Sequence, residues 1–178
     1  MRNALLVLAL SVWVPGLAAA DSVSGECQRE GTTLKWVDGI AFEAARDEKG
    51  WVTTRIFFTT QPIDRKQLAQ CPDCNDDLPL NDFLSTRKDW FNAQIKAGKG
   101  GWLSASYVGG EMDLLAVNDI MYFAPDGVQT GLAAGNERLT FEVNDGKRMT
   151  GTLSFAEGDY FGATCAGKFD LTVGWPQP

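Results

Sequence analysis

The chain has 178 residues, 16 basic and 23 acidic side chains, a formal charge of −7, four cysteines and no histidine. The missing histidine removes Ser-His-Asp and Cys-His nucleophile activation, imidazole metal ligation and the usual general base near neutral pH. The acidic balance repels nucleic acid and anionic membrane and favours neutral or cationic partners.

The opening MRNALLVLALSVWVPGLAAA has a charged start at Arg2, an apolar run from Ala4 to Val14, a Pro15-Gly16 break and small residues Ala18 and Ala20 before Asp21. This pattern reads as a signal peptide over residues 1–20, leaving 21–178 as a single exported, β-rich domain with a periplasmic or secreted destination. No later segment approaches the ~20 apolar residues of a membrane-spanning helix, so membrane insertion is not expected.

Thr33 to Thr60 reads as a hairpin. Ile40, Phe42 and Ala44 alternate with more polar neighbours, Asp47-Glu48-Lys49-Gly50 turns the chain, and WVTTRIFFTT is dense in β-branched and aromatic residues. Pro62 ends that strand, and Asp64 is placed to cap a short turn, RKQLAQ. An amphipathic helix is predicted at about 85–97, with Ser85 as its cap, Leu84, Phe91 and Ile95 on one face, Trp90 flanking them and Gly98 as the stop. Strand and turn resume at Trp102: Leu103, Ala105 and Tyr107 alternate, then Ile120, Tyr122 and Ala124 before Pro125-Asp126-Gly127. The clearest hairpin is RLTFEVNDGKRMTGTLSF. Leu139, Phe141 and Val143 share a side, Asn144-Asp145-Gly146 turns, and Gly151 marks a bulge or a tight contact. Phe169, Leu171, Val173 and Trp175 alternate in the last strand. Such alternation gives each sheet one wet and one buried face, hence antiparallel pairing. The expected fold is mainly β, an antiparallel sandwich or partly open barrel with one helix inserted between strands.

Cys27, Cys71, Cys74 and Cys165 allow three disulfide pairings in an oxidising compartment. Cys27–Cys165 with Cys71–Cys74 is favoured, because Cys27 precedes the first strand, Cys165 precedes the last, and terminal strands often lie side by side. The long bridge stabilises by roughly 4 to 5 kcal/mol in the chain-entropy model, and the short one acts as a local clamp on a polar loop. That loop reads QCPDCNDDLPLND, and its acids oppose the thiolate a redox motif needs. Zinc lacks ligands. Asp73-x-Asn75-x-Asp77 matches the first three ligand positions of an EF-hand loop. Leu78 replaces the turn glycine and Leu84 the bidentate glutamate, so the pattern supports weak calcium binding at most, and no other cofactor is indicated.

Catalytic motifs are thin. Ser85-Thr86-Arg87-Lys88 has the Ser-x-x-Lys spacing of penicillin-interacting enzymes, but Ser85 is better explained as a helix cap; GKGG lacks the Walker pattern. Glu111 and Asp113 form a close carboxylate pair that a hydrolase could use. These residues point first to a non-enzymatic protein-binding module of the inhibitor, immunity or envelope-accessory kind. Its contact surface is expected on the cysteine loop and the start of the helix, at Asp76, Asp77, Arg87 and Lys88. The alternatives are a small-ligand or carbohydrate carrier using aromatic side chains, and a carboxylate hydrolase.

Overall fold

The computed structural model describes residues 20–29, 31–75, 77–109, 116–123, 129–132, 139–155 and 163–177. The predicted leader therefore lies, apart from Ala20, outside the described residues. The strands are β1 (Ser22–Arg29), β2 (Thr32–Lys35), β3 (Asp38–Arg46), β4 (Val52–Thr59), β5 (Trp102–Gly109), β6 (Ala116–Phe123), β7 (Gln129–Leu132), β8 (Leu139–Asn144), β9 (Arg148–Phe155) and β10 (Ala163–Thr172). They form two five-stranded sheets ordered β2-β1-β10-β9-β8 and β3-β4-β5-β6-β7, and neighbouring strands within each sheet pair antiparallel. Two helices, α1 (Arg65–Ala69) and α2 (Thr86–Ala97), lie between β4 and β5 in sequence.

The fold is the expected mainly-β sandwich, and both favoured disulfides are formed. Cys27 and Cys165 face each other in register across β1 and β10, and their bridge lies in the core between the sheets. That core joins Leu139, Met149, Leu153, Phe169 and Leu171 of the first sheet to Ala41, Ile56, Phe58, Leu103, Ala105 and Tyr107 of the second. At 25 cal/mol per Å² of apolar surface removed from water, each large side chain here contributes about 1.5 to 3 kcal/mol of burial free energy. Gly151 is required by close approach, since a Cβ there would run into the Thr140 carbonyl and the Phe169 ring. It sits opposite a bulge between Phe141 and Val143. The bulge shifts the phase of β8, so Val143 is exposed rather than aligned with Leu139 and Phe141 as predicted.

Alternation fails in the second sheet. β3, β4 and β5 are buried on both faces over most of their length, whereas β10 alternates buried and exposed to its end. The cause is a third layer. Ile40, Phe42, Ala44, Phe57 and Trp102 point away from the other sheet into a second core with Leu68 of α1, Phe91 and Ile95 of α2, and the Cys71–Cys74 pair. Phe57 lies 4.3 Å from Phe91 and 5.6 Å from Trp102, centroid to centroid. The last strand feeds this layer too. Gly174 N–H donates to the Ala41 carbonyl, and Trp175 then packs edge-on against Phe42 at 4.9 Å.

Both helices begin as expected: Asp64 accepts from Lys66 and Gln67 N–H, and Ser85 accepts from Lys88 N–H. Phe91 and Ile95, one turn apart, make the buried face of α2. Leu84 does not join them. It belongs to a separate 3-10 turn, Asp82–Leu84, before the Ser85 cap and stays exposed. α1 is tied to β3 by a two-pronged ion pair, Arg65 Nη1 and Nη2 donating to Asp38 Oδ2 and Oδ1 at 2.9 and 3.0 Å. Burial pushes the Asp38 carboxyl up, but Arg65 and the Ile63 and Gly39 N–H groups more than reverse this and hold it below its ordinary 3.8.

Candidate functional site

The outer face of the second sheet has two halves. Under α2 it is apolar. Two residues beyond Phe57, on the same side of β4, comes Arg55, and on β5 the face continues from Trp102 to Ser104, Ser106 and Val108. Arg55 is only 4% exposed, and a buried guanidinium needs a partner. The chain supplies one from the 3-10 turn: Arg55 Nε donates to Asp82 Oδ2 at 2.7 Å, Nη2 reaches the same oxygen, and Nη1 donates to Ser104 Oγ at 3.5 Å.

That pairing fixes the turn from below, and other bonds fix it from the sides. Asn81 Oδ1 accepts from Phe83 N–H at 3.1 Å, Arg46 N–H donates to the Pro79 carbonyl at 2.9 Å, and Lys88 Nζ donates to the Asp82 carbonyl at 2.7 Å. With the Asp82 carboxylate turned inward to Arg55, the segment presents Leu80, Phe83 and Leu84 outward at 61%, 89% and 66% exposure. They are three of the five large apolar side chains exposed among the described residues, gathered within one short segment. Beside them runs a groove of about 340 Å³ with Leu80, Asn81, Asp82 and Phe83 on one side and Asp47, Trp51, Thr53, Arg55, Ser106 and Val108 along the strands.

The residues singled out from sequence flank this surface. Asp77 is exposed just before it, while Asp76 lies outside the described residues. Lys88 lies along the turn, its ammonium 5.6 Å from the Phe83 ring. Arg87 faces inward, Nε donating to the Cys74 carbonyl at 2.7 Å and Nη1 to the Glu43 carbonyl at 2.9 Å; burial pushes its guanidinium down, with Glu43 partly offsetting this. It positions the cysteine loop against β3. The Cys71–Cys74 bridge clamps the polar loop as expected, with its sulfurs buried in the second core alongside Leu68 and Phe91 while Pro72, Asp73 and Asn75 stay exposed. Asp73, Asn75 and Asp77 are all exposed, Asp73 at a left-handed φ of 63°, and among the described residues no group of three or more acidic, cysteine or histidine side chains is set to hold a metal. Glu111 and Asp113 lie outside the described residues. Of the tryptophans, Trp36, Trp102 and Trp175 are buried in the two cores and Trp51 borders the groove.

Leu80, Phe83, Leu84, Trp51 and Arg55 went unrecognised as site residues from sequence. Two signals were legible: LPL and FL are short apolar runs without periodic place in an acidic loop, and Arg55 is a single charge inside a β-branched and aromatic run. The chain matches no family model, no curated protein and no solved structure.

Proposed function

We propose that the chain is an exported, non-enzymatic module that binds another protein through the Leu80–Leu84 segment and the groove beside it. The observation that carries this reading is the display of Leu80, Phe83 and Leu84 on a turn that is held in place by Arg55 and Lys88 bonding to Asp82 and by Asn81 bonding to Phe83 N–H. Exposed apolar side chains gathered in one place mark interaction surfaces, and a pre-formed turn lowers the ordering cost of docking. The two disulfides support an oxidising destination, periplasmic or secreted. Among the described residues no helix is long and apolar enough to cross a membrane.

The test is paired affinity capture from native exported fractions with the mature chain and with Phe83→Ser/Leu84→Ser. A partner retained near stoichiometry by the first and lost by the second is expected; equal retention by both overturns the placement.

A second reading, a small ring-shaped ligand such as a sugar, draws on the same groove, which Trp51 and Phe83 border. It requires Trp51 fluorescence to shift on titration with sugars, and Trp51→Phe to abolish the shift. A flat titration argues against it.

A further inference from the structure

The chemistry of the groove goes further than the presence of a docking surface. We infer that it receives a cationic side chain, arginine or lysine, from the bound protein, with that protein's neighbouring apolar side chain lying against Phe83 and Leu84. This rests on the protein-binding reading above and specifies its partner.

The charges around the groove are unequally used. Arg55 is held by Asp82, Lys88 by the Asp82 carbonyl, and Arg46 by Glu43 at 3.7 Å and the Gly50 carbonyl at 3.4 Å. The acids are not matched in the same way. Asp47 accepts from Lys49 and Trp51 N–H through Oδ1, both at 2.9 Å, and its Oδ2 has no hydrogen-bond partner among the described residues. Glu48 beside it and Asp77, shortly before Leu80, are exposed and carry no ion pair among the described residues, and Lys49 is a nearby cation that is likewise without an ion pair there. The formal charge of the whole chain is −7, which opposes a second copy of itself and attracts a basic partner.

The two aromatic rings give an independent indication. Lys49 Nζ stands 5.4 Å from the Trp51 ring, and Lys88 Nζ stands 5.6 Å from the Phe83 ring. An ammonium thus already stands within cation–π range of each ring, so the surroundings of both rings accommodate a positive charge. An incoming arginine would replace such a contact with planar stacking on the ring and a hydrogen bond to Asp47 Oδ2, a combination the guanidinium suits better than an ammonium.

The experiment is selection of a displayed library of random peptides, each about twelve residues long and so covering part of an interface of ordinary size, on the mature chain. One enriched peptide is then titrated by fluorescence anisotropy against wild type, Asp47→Asn and Phe83→Ala. Asparagine keeps the Oδ1 acceptor of the turn, and Phe83 is exposed, so both variants keep the fold. Enriched peptides are expected to carry arginine or lysine next to leucine, phenylalanine or tryptophan, with Kd rising with salt and about tenfold for each variant. Peptides that need Phe83 but lack basic residues and ignore Asp47→Asn would overturn the cationic assignment and leave protein docking standing. Peptides that bind wild type and Phe83→Ala equally would overturn the docking surface itself.

Discussion

Phe91 and Phe83 lie close in sequence, over the same face of the same sheet, and have opposite fates. Phe91 is fully buried between Phe42 and Phe57, whereas Phe83 is 89% exposed above a buried ion pair. The difference lies in the strands beneath. Where β4 and β5 offer Phe57 and Trp102, the covering segment gains most by laying down an apolar helix face. Where they offer Arg55, Ser104 and Ser106, the covering segment must bring a carboxylate, and its own apolar side chains are left outside. A buried charge on one strand thus dictates an exposed apolar patch on the loop above it.

Substitutions in the two halves are expected to differ widely in cost. Phe91→Ala is expected to have the largest effect, a loss of about 3 to 5 kcal/mol in urea unfolding, because it opens a cavity in the dry half. A loss below about 1 kcal/mol would mean that α2 is not the cover of that face. Arg55→Met comes next, costing about 3 kcal/mol by leaving the Asp82 carboxylate, 16% exposed, without its cation. Arg55→Met with Asp82→Leu should be milder than Arg55→Met alone; equal losses would show that the ion pair does not hold the turn.

Acid should act on the helix-covered half. The folded pKa of Asp38 is depressed, so its contribution is present above 3.8 and is lost as pH falls through the lowered folded value. Urea midpoints between about pH 6 and pH 2 are therefore expected to fall less steeply for Asp38→Asn than for wild type, the gap closing at the acid end. Parallel curves would contradict the Arg65 pairing. Phe83→Ala is expected to change stability by no more than about 0.5 kcal/mol, as for other exposed positions. A loss comparable to that of Phe91→Ala would mean that Phe83 packs on the protein and is not displayed.

Much of the framework was readable in advance for physical reasons. β10, with one wet face, shows clean alternation from Ala163 to Thr172, and Asp64 and Ser85 announce helix starts through their side-chain oxygens. Cys27 and Cys165 could be paired because terminal strands often adjoin. The third layer was harder to see. Strands buried on both faces carry no alternation, and Thr53, Thr54 and Thr59 made β4 look half-solvated. Leu84 fitted the helical spacing of Phe91 and Ile95, but the Ser85 cap lies between them and ends that periodicity. The groove was illegible because its walls meet through Arg55 and Asp82, a pairing between distant segments that no local pattern encodes.

The most direct measurement is photo-cross-linking with benzoylphenylalanine placed at Phe83 and, in a second variant, at the exposed Ala166 on the outer face of the first sheet, each added to native exported fractions. One discrete protein adduct is expected at position 83, competed away by excess unlabelled wild-type chain, and none at position 166. Adducts at both positions alike, or at 166 only, would contradict docking at Phe83.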